Sequence, residues 1–256
     1  MTGGEPMMDK NTYKVFQYII DNPKDDLHLN VTSNMCPPDN KLKTKYFNML
    51  QTICMQEKVE HVMQFVSVDA WAKQAEYIRF GLDFDRMWDN VDEFLERIPQ
   101  RNSVTFIITY NNLSVVSMRK LLEGILELRK RHSKTYQRVW FDIPLLRAPL
   151  WQCIQVLPQH YEDYLEEAIV FMELNEADEV NIDYRGFKDF EIDKVRRNLE
   201  WMKAGSIMDK EELLKARANF FKFFSQHDER RKTNFLQVFP EMEDWWNICK
   251  EAEALI

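Results

Sequence analysis

The chain has 256 residues, of which 45% are hydrophobic and 30% charged, and its 6 glycines and 9 prolines argue against a disordered or low-complexity protein. Its net charge of -8 disfavours nucleic-acid binding, which requires a basic face to replace phosphate counterions. No apolar run reaches transmembrane length and no signal peptide opens the sequence. We therefore expect a cytoplasmic protein whose partners include neither nucleic acid nor a membrane.

The first half of the chain alternates strand and helix patterns. Residues 27–32 form a short apolar run with alternating polarity, which predicts a strand. Residues 41–55 carry apolar side chains at helical spacing, and residues 62–68 predict the next strand. Residues 83–98 then predict an amphipathic helix that ends before Pro99.

The same alternation continues to about residue 176. Residues 104–109 are a β-branched and aromatic run, typical of a strand buried on both faces. Ser114 is expected to cap a helix that ends near His132. A further strand begins at residue 139 and ends near Pro144, and a helix spans residues 158–175.

Strands separated by helices of this length predict an α/β fold with a parallel sheet, because parallel strands need a long crossover. Right-handed crossovers curl such a sheet, so we expect a partial (β/α) barrel over residues 1–176. In such barrels, binding sites collect at the C-terminal ends of the strands. The polar residues just after the predicted strands are therefore the first candidates for a site.

The strand signal stops after residue 176. Residues 187–203, 209–226 and 241–254 read as helices, so residues 177–256 are predicted to form a helical C-terminal extension. Its many phenylalanines are expected to pack rather than to contact a cofactor.

The cysteines do not predict a metal site. Cys36, Cys54, Cys153 and Cys249 are scattered, with no C-x2-C pair, and the expected state of all of them is a buried, reduced thiol. Cys36 follows a predicted strand and is the cysteine best placed for catalysis. The sequence alone assigns no catalytic residue and no metal ligand.

The most specific local pattern is Gly3-Gly4-Glu5-Pro6. Two glycines let a ligand lie against the backbone, where a Cβ would hold it away. Glu5 can brace the turn and place negative charge near a bound ammonium group, while Pro6 fixes the exit of the turn. This segment resembles the GGEP motif of the radical S-adenosylmethionine (SAM) enzymes, which lies at the end of the second barrel strand and holds the amino group of SAM.

Two later segments agree with that resemblance. The stretch Val66-Ser67-Val68-Asp69-Ala70 is similar to the end of the family's fourth strand, and 76–81 is similar to the E-Y-x-R-x-G stretch that follows it. The resemblance implies that Ser67 and then Arg79 contact SAM, through a hydroxyl and a carboxylate clamp. Asp69 is expected either to bond Ser67 or the backbone, or to act only as a turn former.

Other strand ends supply the remaining candidates. Ser33 and Asn34 match the end of the family's third strand, and Asn111 lies at the end of the fifth, which also borders SAM in the family. Asn111 with Asn112 is equally a good strand-to-helix turn. Asp142 ends the sixth strand, where it could touch substrate or be structural.

Segments in the C-terminal part of the chain resemble one particular group of radical SAM proteins. The Leu157-Pro158 pair, residues 184–188 and residues 221–241 resemble the twitch domain-containing radical SAM proteins. This implies two cofactors, SAM and a 4Fe-4S cluster, and the generation of a 5'-deoxyadenosyl radical that acts on an unknown substrate. The family's C-x3-C-x2-C cluster loop precedes GGEP, so its ligands are expected upstream of this chain, and the chain alone is expected to be inactive.

Two alternatives stay open at this stage. One is a cluster-free module, derived from a radical SAM barrel, that binds a nucleotide or a partner. The other is an unrelated α/β hydrolase-like or lyase domain, although no G-x-S-x-G, Walker loop or H-E-x-x-H occurs. We also expect self-association, because the first strand of the predicted sheet has no neighbour on one side.

Overall fold

The computed structural model describes residues 1, 4–99, 101–178 and 185–256, and its centre is a parallel β-sheet. The strands are β1 (Lys24–Ser33), β2 (Val59–Ser67), β3 (Ser103–Ile107) and β4 (Val139–Asp142). They pair in the order β1-β2-β3-β4, and every pair is parallel. The α/β class and the parallel sheet predicted from the sequence are confirmed.

Helices connect the strands and continue beyond them. They are α1 (Lys10–Asp21), α2 (Asn40–Met55), α3 (Ala72–Ile78), α4 (Phe84–Arg97), α5 (Met118–His132), α6 (Glu162–Glu173), α7 (Asp189–Lys203), α8 (Lys210–Arg231), α9 (Phe235–Val238) and α10 (Glu243–Ala254). The helices α1, α3 and α9 were not predicted. No helix in the described part of the chain is long and apolar enough to cross a membrane.

Aspartates begin several of these helices. Asp9, Asp39, Asp83 and Asp209 each accept a hydrogen bond from a backbone N–H of the first turn, which satisfies a donor that has no partner inside the helix. The cap predicted at Ser114 is wrong. A 3-10 turn, Val115–Ser117, precedes α5, and the Ser114 hydroxyl instead accepts from the N–H of Asn111. Its side chain is thus held by the turn before it.

The two faces of the sheet differ in burial. On β2, Val62, Gln64 and Val66 are fully buried, whereas Met63, Phe65 and Ser67 between them are only partly covered. Because successive side chains point to opposite faces, one face forms the core against the helices and the other stays partly open. The register aligns the strand ends, since Ser33 pairs with Val66 and Ser67 with Ile107.

Candidate functional site

Glu5 joins the N-terminal segment to the end of β1. Its Oε1 accepts from the Ser33 hydroxyl at 2.6 Å and from the Met7 N–H at 3.1 Å, and its Oε2 accepts from the Asn34 N–H at 3.0 Å. Ser33 is the last residue of an extended strand, so its backbone directs the next N–H toward the same carboxylate. The predicted residues Glu5, Ser33 and Asn34 therefore meet at one point, at the C-terminal edge of the sheet.

The backbone of Gly4, next to Glu5 in the same motif, has open space beside it. Gly4 has a positive φ of 66°, which a residue with a side chain rarely adopts, and a Cβ added there would meet no atom within 4 Å. No described residue donates a hydrogen bond to its carbonyl. Pro6 is buried and its carbonyl accepts from the Asp9 N–H at 3.3 Å. Gly3 lies outside the described residues.

The Glu5 carboxylate also affects Tyr13 on helix α1. Burial, and then the nearby Glu5 carboxylate, raise the pKa of Tyr13. The Tyr13 hydroxyl donates to the Met7 carbonyl and so ties α1 to the turn that carries Glu5. The half-buried carboxylate is thus held by a backbone that α1 supports. Its Oε2 accepts a single hydrogen bond from the described residues and so keeps a lone pair that a bound ammonium group would use.

Asp69 and Arg79 form a second cluster, at the ends of β2 and β3. Arg79 Nη2 donates to Asp69 Oδ1 at 3.0 Å, and Arg79 Nε lies 2.7 Å from Oδ2 without forming a hydrogen bond, so the two residues form an ion pair with one hydrogen bond. Asp69 Oδ1 also accepts from the Thr109 N–H at 2.9 Å. Burial raises the pKa of Asp69, and the Arg79 guanidinium opposes that rise. The Arg79 guanidinium is therefore already paired with a carboxylate of its own chain. The sequence did not indicate this pairing.

The remaining predicted residues differ in their freedom to bind a ligand. Asn111 is buried in its own turn, where its Nδ2 donates to the Thr109 carbonyl and its Oδ1 accepts from the Leu113 N–H. Ser67 is only partly buried, and its hydroxyl has no hydrogen bond to any described residue. Asp142 accepts from Lys194 Nζ at 2.8 Å. Of the two predicted SAM-contacting hydroxyls, that of Ser33 is bonded to Glu5, whereas that of Ser67 is unused among the described residues.

The described residues offer no site for an iron–sulfur cluster. They contain no group of three or more His, Cys, Asp or Glu side chains that could hold a metal ion. The four cysteines are buried and unpaired, as expected, and the Cys36 thiol lies 3.6 Å from the Asp83 carbonyl. The donor set that a 4Fe-4S cluster needs, three thiolates that converge on one point, is not formed by these residues.

No protein-family model, no curated protein and no solved structure matches this chain. The resemblance to radical SAM enzymes therefore depends on the motifs and on where the fold places them. The geometry shows a carboxylate, an open glycine backbone and an unused hydroxyl at the ends of neighbouring parallel strands. Such an edge can hold the charged end of a small polar ligand.

Proposed function

We propose that this chain forms the SAM-binding edge of a radical SAM enzyme with a partial (β/α) barrel and a helical C-terminal extension. The observation that carries the proposal is the Glu5 carboxylate, which three donors hold at the end of β1. The motif that resembles GGEP thereby lies beside the first parallel strand, at the strand end where such folds bind ligands. The sequential order of four parallel strands is what a segment of a barrel requires.

The residues at the ends of β1 and β2 would have different roles in binding SAM. The Glu5 carboxylate and the Gly4 carbonyl would accept hydrogen bonds from the SAM ammonium group, and the Ser67 hydroxyl would donate to its carboxylate or ribose. The Asp69–Arg79 pair would fix the loop that follows β2, and Arg79 would not act as a free clamp. The substrate of the enzyme is not assigned.

The 4Fe-4S cluster does not fit the described residues of this chain. In the proposal its three cysteine ligands would be other than the four cysteines of this chain, and the chain without them would be inactive. The cluster would supply the electron that cleaves SAM. No step of that reaction is assigned to residues of this chain.

SAM binding to the chain, measured by calorimetry, tests the proposal. Glu5→Gln keeps the size of the side chain but removes its charge, and a charge-assisted hydrogen bond contributes roughly 1.5–3 kcal/mol, so we expect SAM binding to weaken at least about tenfold. Ser67→Ala should weaken binding less, because its hydrogen bond is neutral. Thermal melts of both variants establish that they remain folded.

The matched control is Glu57→Gln. It removes the same charge from an exposed side chain that precedes β2, at the opposite end of the strands. The control should leave SAM affinity unchanged. Equal losses in Glu5→Gln and Glu57→Gln, or no binding of SAM at millimolar concentration, would contradict the proposal.

A second candidate function is a cluster-free nucleotide- or partner-binding module. The absence of a three-residue metal-binding group among the described residues favours it. Adenosine and ATP, which lack the methionine part of SAM, separate the two functions. If they bind as tightly as SAM and Glu5→Gln has no effect on any of them, the cluster-free module is the better description.

A further inference from the structure

A second candidate site lies in a cleft between the loop after β4 and helix α7. The cleft has a volume of about 700 Å³, within the range of small-molecule sites. Its polar and charged lining includes Asp142, Arg147, Lys194, Arg197, Asn198 and Trp201. The residues 194, 197, 198 and 201 recur at helical spacing, so α7 presents them along one face.

Two residues that line this cleft carry buried N–H donors without an acceptor. Asn198 is 4% exposed, and its Nδ2 has no hydrogen-bond partner among the described residues; the same holds for the buried Nε1 of Trp201. An unmet buried donor costs roughly 1–3 kcal/mol, so such groups are rare unless a ligand or solvent satisfies them. The indole N–H can only donate. Whatever completes this site must therefore present acceptor atoms.

The charges around these donors favour an anion. Arg147 and Arg197 are exposed and form no ion pair with any described residue. The Arg147 guanidinium instead lies 5.5 Å from the centre of the Trp201 ring, which keeps it at the cleft. Lys194 is paired with Asp142, and Glu200 is the other carboxylate of the lining. The two unpaired guanidinium groups thus belong to residues that line the same cleft as Asn198 and Trp201.

We propose that this cleft binds a small phosphorylated ligand through its phosphoryl group. A terminal phosphoryl group has three acceptor oxygens and nearly two negative charges near neutral pH, so it can accept from the Asn198 and Trp201 donors and match the charges of both unpaired guanidinium groups, whereas a carboxylate carries a single charge. The volume leaves room for the rest of a small molecule. This inference is independent of the proposed binding of SAM, because the two sites share no residue.

The test follows the indole N–H signals of the protein by two-dimensional NMR. Trp201→Phe identifies the Trp201 signal, and the native chain is then titrated with inorganic phosphate, pyrophosphate and, separately, succinate. We expect phosphate and pyrophosphate to move the Trp201 signal to saturation while the other tryptophan signals stay in place. Succinate distinguishes a phosphoryl site from a general carboxylate site.

Two variants of α7 make the test specific. Arg197→Ala should weaken phosphate binding about tenfold, as expected for the loss of one charge-assisted contact. Arg196→Ala is the matched control, since it removes the same charge from the adjacent residue, which is paired with Glu173 and Asp193. The control should change phosphate affinity less than about twofold, as a screened surface charge does.

Asn198→Leu separates binding from folding. Replacing an unsatisfied buried amide by an apolar side chain of the same size is nearly neutral or stabilising, so this variant should melt no lower than the native chain but should lose phosphate binding. No saturable shift at millimolar phosphate, equal losses in Arg196→Ala and Arg197→Ala, or a response to succinate alone would overturn the proposal.

Discussion

Burial determines the chemistry of single side chains in this protein, and Cys54 on α2 is a clear example. Its thiol is almost completely buried, and burial raises its pKa from the ordinary value of 9.0 to about 12, although Arg101 and Arg138 oppose the rise. At pH 8 the thiolate is therefore nearly absent. A thiol of this kind neither binds metal nor reacts readily, because the thiolate is the active form.

The Cys54 pKa predicts a loss of stability at alkaline pH. Between pH 9 and 12 the unfolded thiol has lost its proton while the folded thiol still holds it, so stability falls as pH rises. From pH 8 to pH 10 this one group should lower the free energy of unfolding by roughly 1 kcal/mol. Urea unfolding of the native chain and of Cys54→Ala at both pH values measures the effect.

Cys54→Ala should start from a lower stability at pH 8, since it leaves a small cavity, but should lose roughly 1 kcal/mol less than the native chain on going to pH 10. The other titrating groups contribute equally to both proteins and cancel in the comparison. Parallel pH profiles for the two proteins would show that the buried thiol is not the cause.

The Asp69–Arg79 pair shows what a sequence cannot reveal at this scale. The motif placed both residues near the candidate site, but their mutual bond depends on how the loop after β2 folds back toward Thr109. The unsatisfied donors of Asn198 and Trp201 were likewise missed. Whether a polar atom is satisfied depends on neighbours that are distant in sequence, so no local pattern indicates it.

At the scale of elements, local sequence patterns were enough to predict the four described strands and every described helix of 12 or more residues except α1. The helix α4 matches its predicted range to within one residue at each end, because Asp83 caps its start and Pro99 follows its end. The helix α3 was missed because its seven residues are too few for a helical period to show. The helix α1 does show apolar residues at helical spacing after Asp9, and this signal could have been used.

The end of α8 predicts a stabilising substitution. Lys232 terminates this helix with a φ of 57°, in the left-handed region, where a side chain costs roughly 1 kcal/mol relative to glycine. Lys232→Gly should therefore raise the free energy of unfolding by about 0.5–1 kcal/mol, which urea denaturation can measure.

The same substitution inside α8 provides the control. Lys222 lies in the interior of the helix, where glycine costs about 1 kcal/mol, so Lys222→Gly should destabilise the protein. Opposite signs for the two variants would isolate the backbone conformation as the cause. Destabilisation by both would mean that Lys232 contributes through its side chain instead.

At the scale of the whole molecule, the edges of the sheet bear on the predicted self-association. The Met1 amino nitrogen lies 2.5 Å from the Asn30 carbonyl oxygen, and the Met1 carbonyl accepts from the Thr32 N–H, so part of the β1 edge is paired. The other end of this strand carries exposed charges at residues 24–26, which discourage pairing between sheets. Self-association stays a prediction, and the partly open face of β2 is now its better-supported cause.

Several contacts cross the predicted boundary between residues 176 and 177. Tyr77 on α3 donates to Asp228 on α8 at 2.9 Å, and its ring packs among phenylalanines of the C-terminal helices. Arg129 on α5 donates to the Val139 carbonyl of β4 and is paired with Glu191 on α7, at 2.6 Å between Nη2 and Oε1. The sequence could not indicate these contacts, because Tyr77 and Asp228 lie 151 residues apart and Arg129 and Glu191 lie 62 residues apart.

Because the Arg129–Glu191 pair joins residues 1–176 to residues 177–256, we expect these two parts of the chain to unfold together. Both side chains are fully buried, so Glu191→Gln leaves a buried guanidinium without its counter-charge, and we expect it to cost about 3 kcal/mol of stability. If the chain is one cooperative unit, native-state hydrogen exchange should show that the slowest amides of β3 and of α10 lose protection together, each by about 100-fold. Asp193→Asn, an exposed site on the same helix, should change both by less than about 0.5 kcal/mol. Loss of protection in α10 alone would instead show that residues 177–256 unfold separately from residues 1–176.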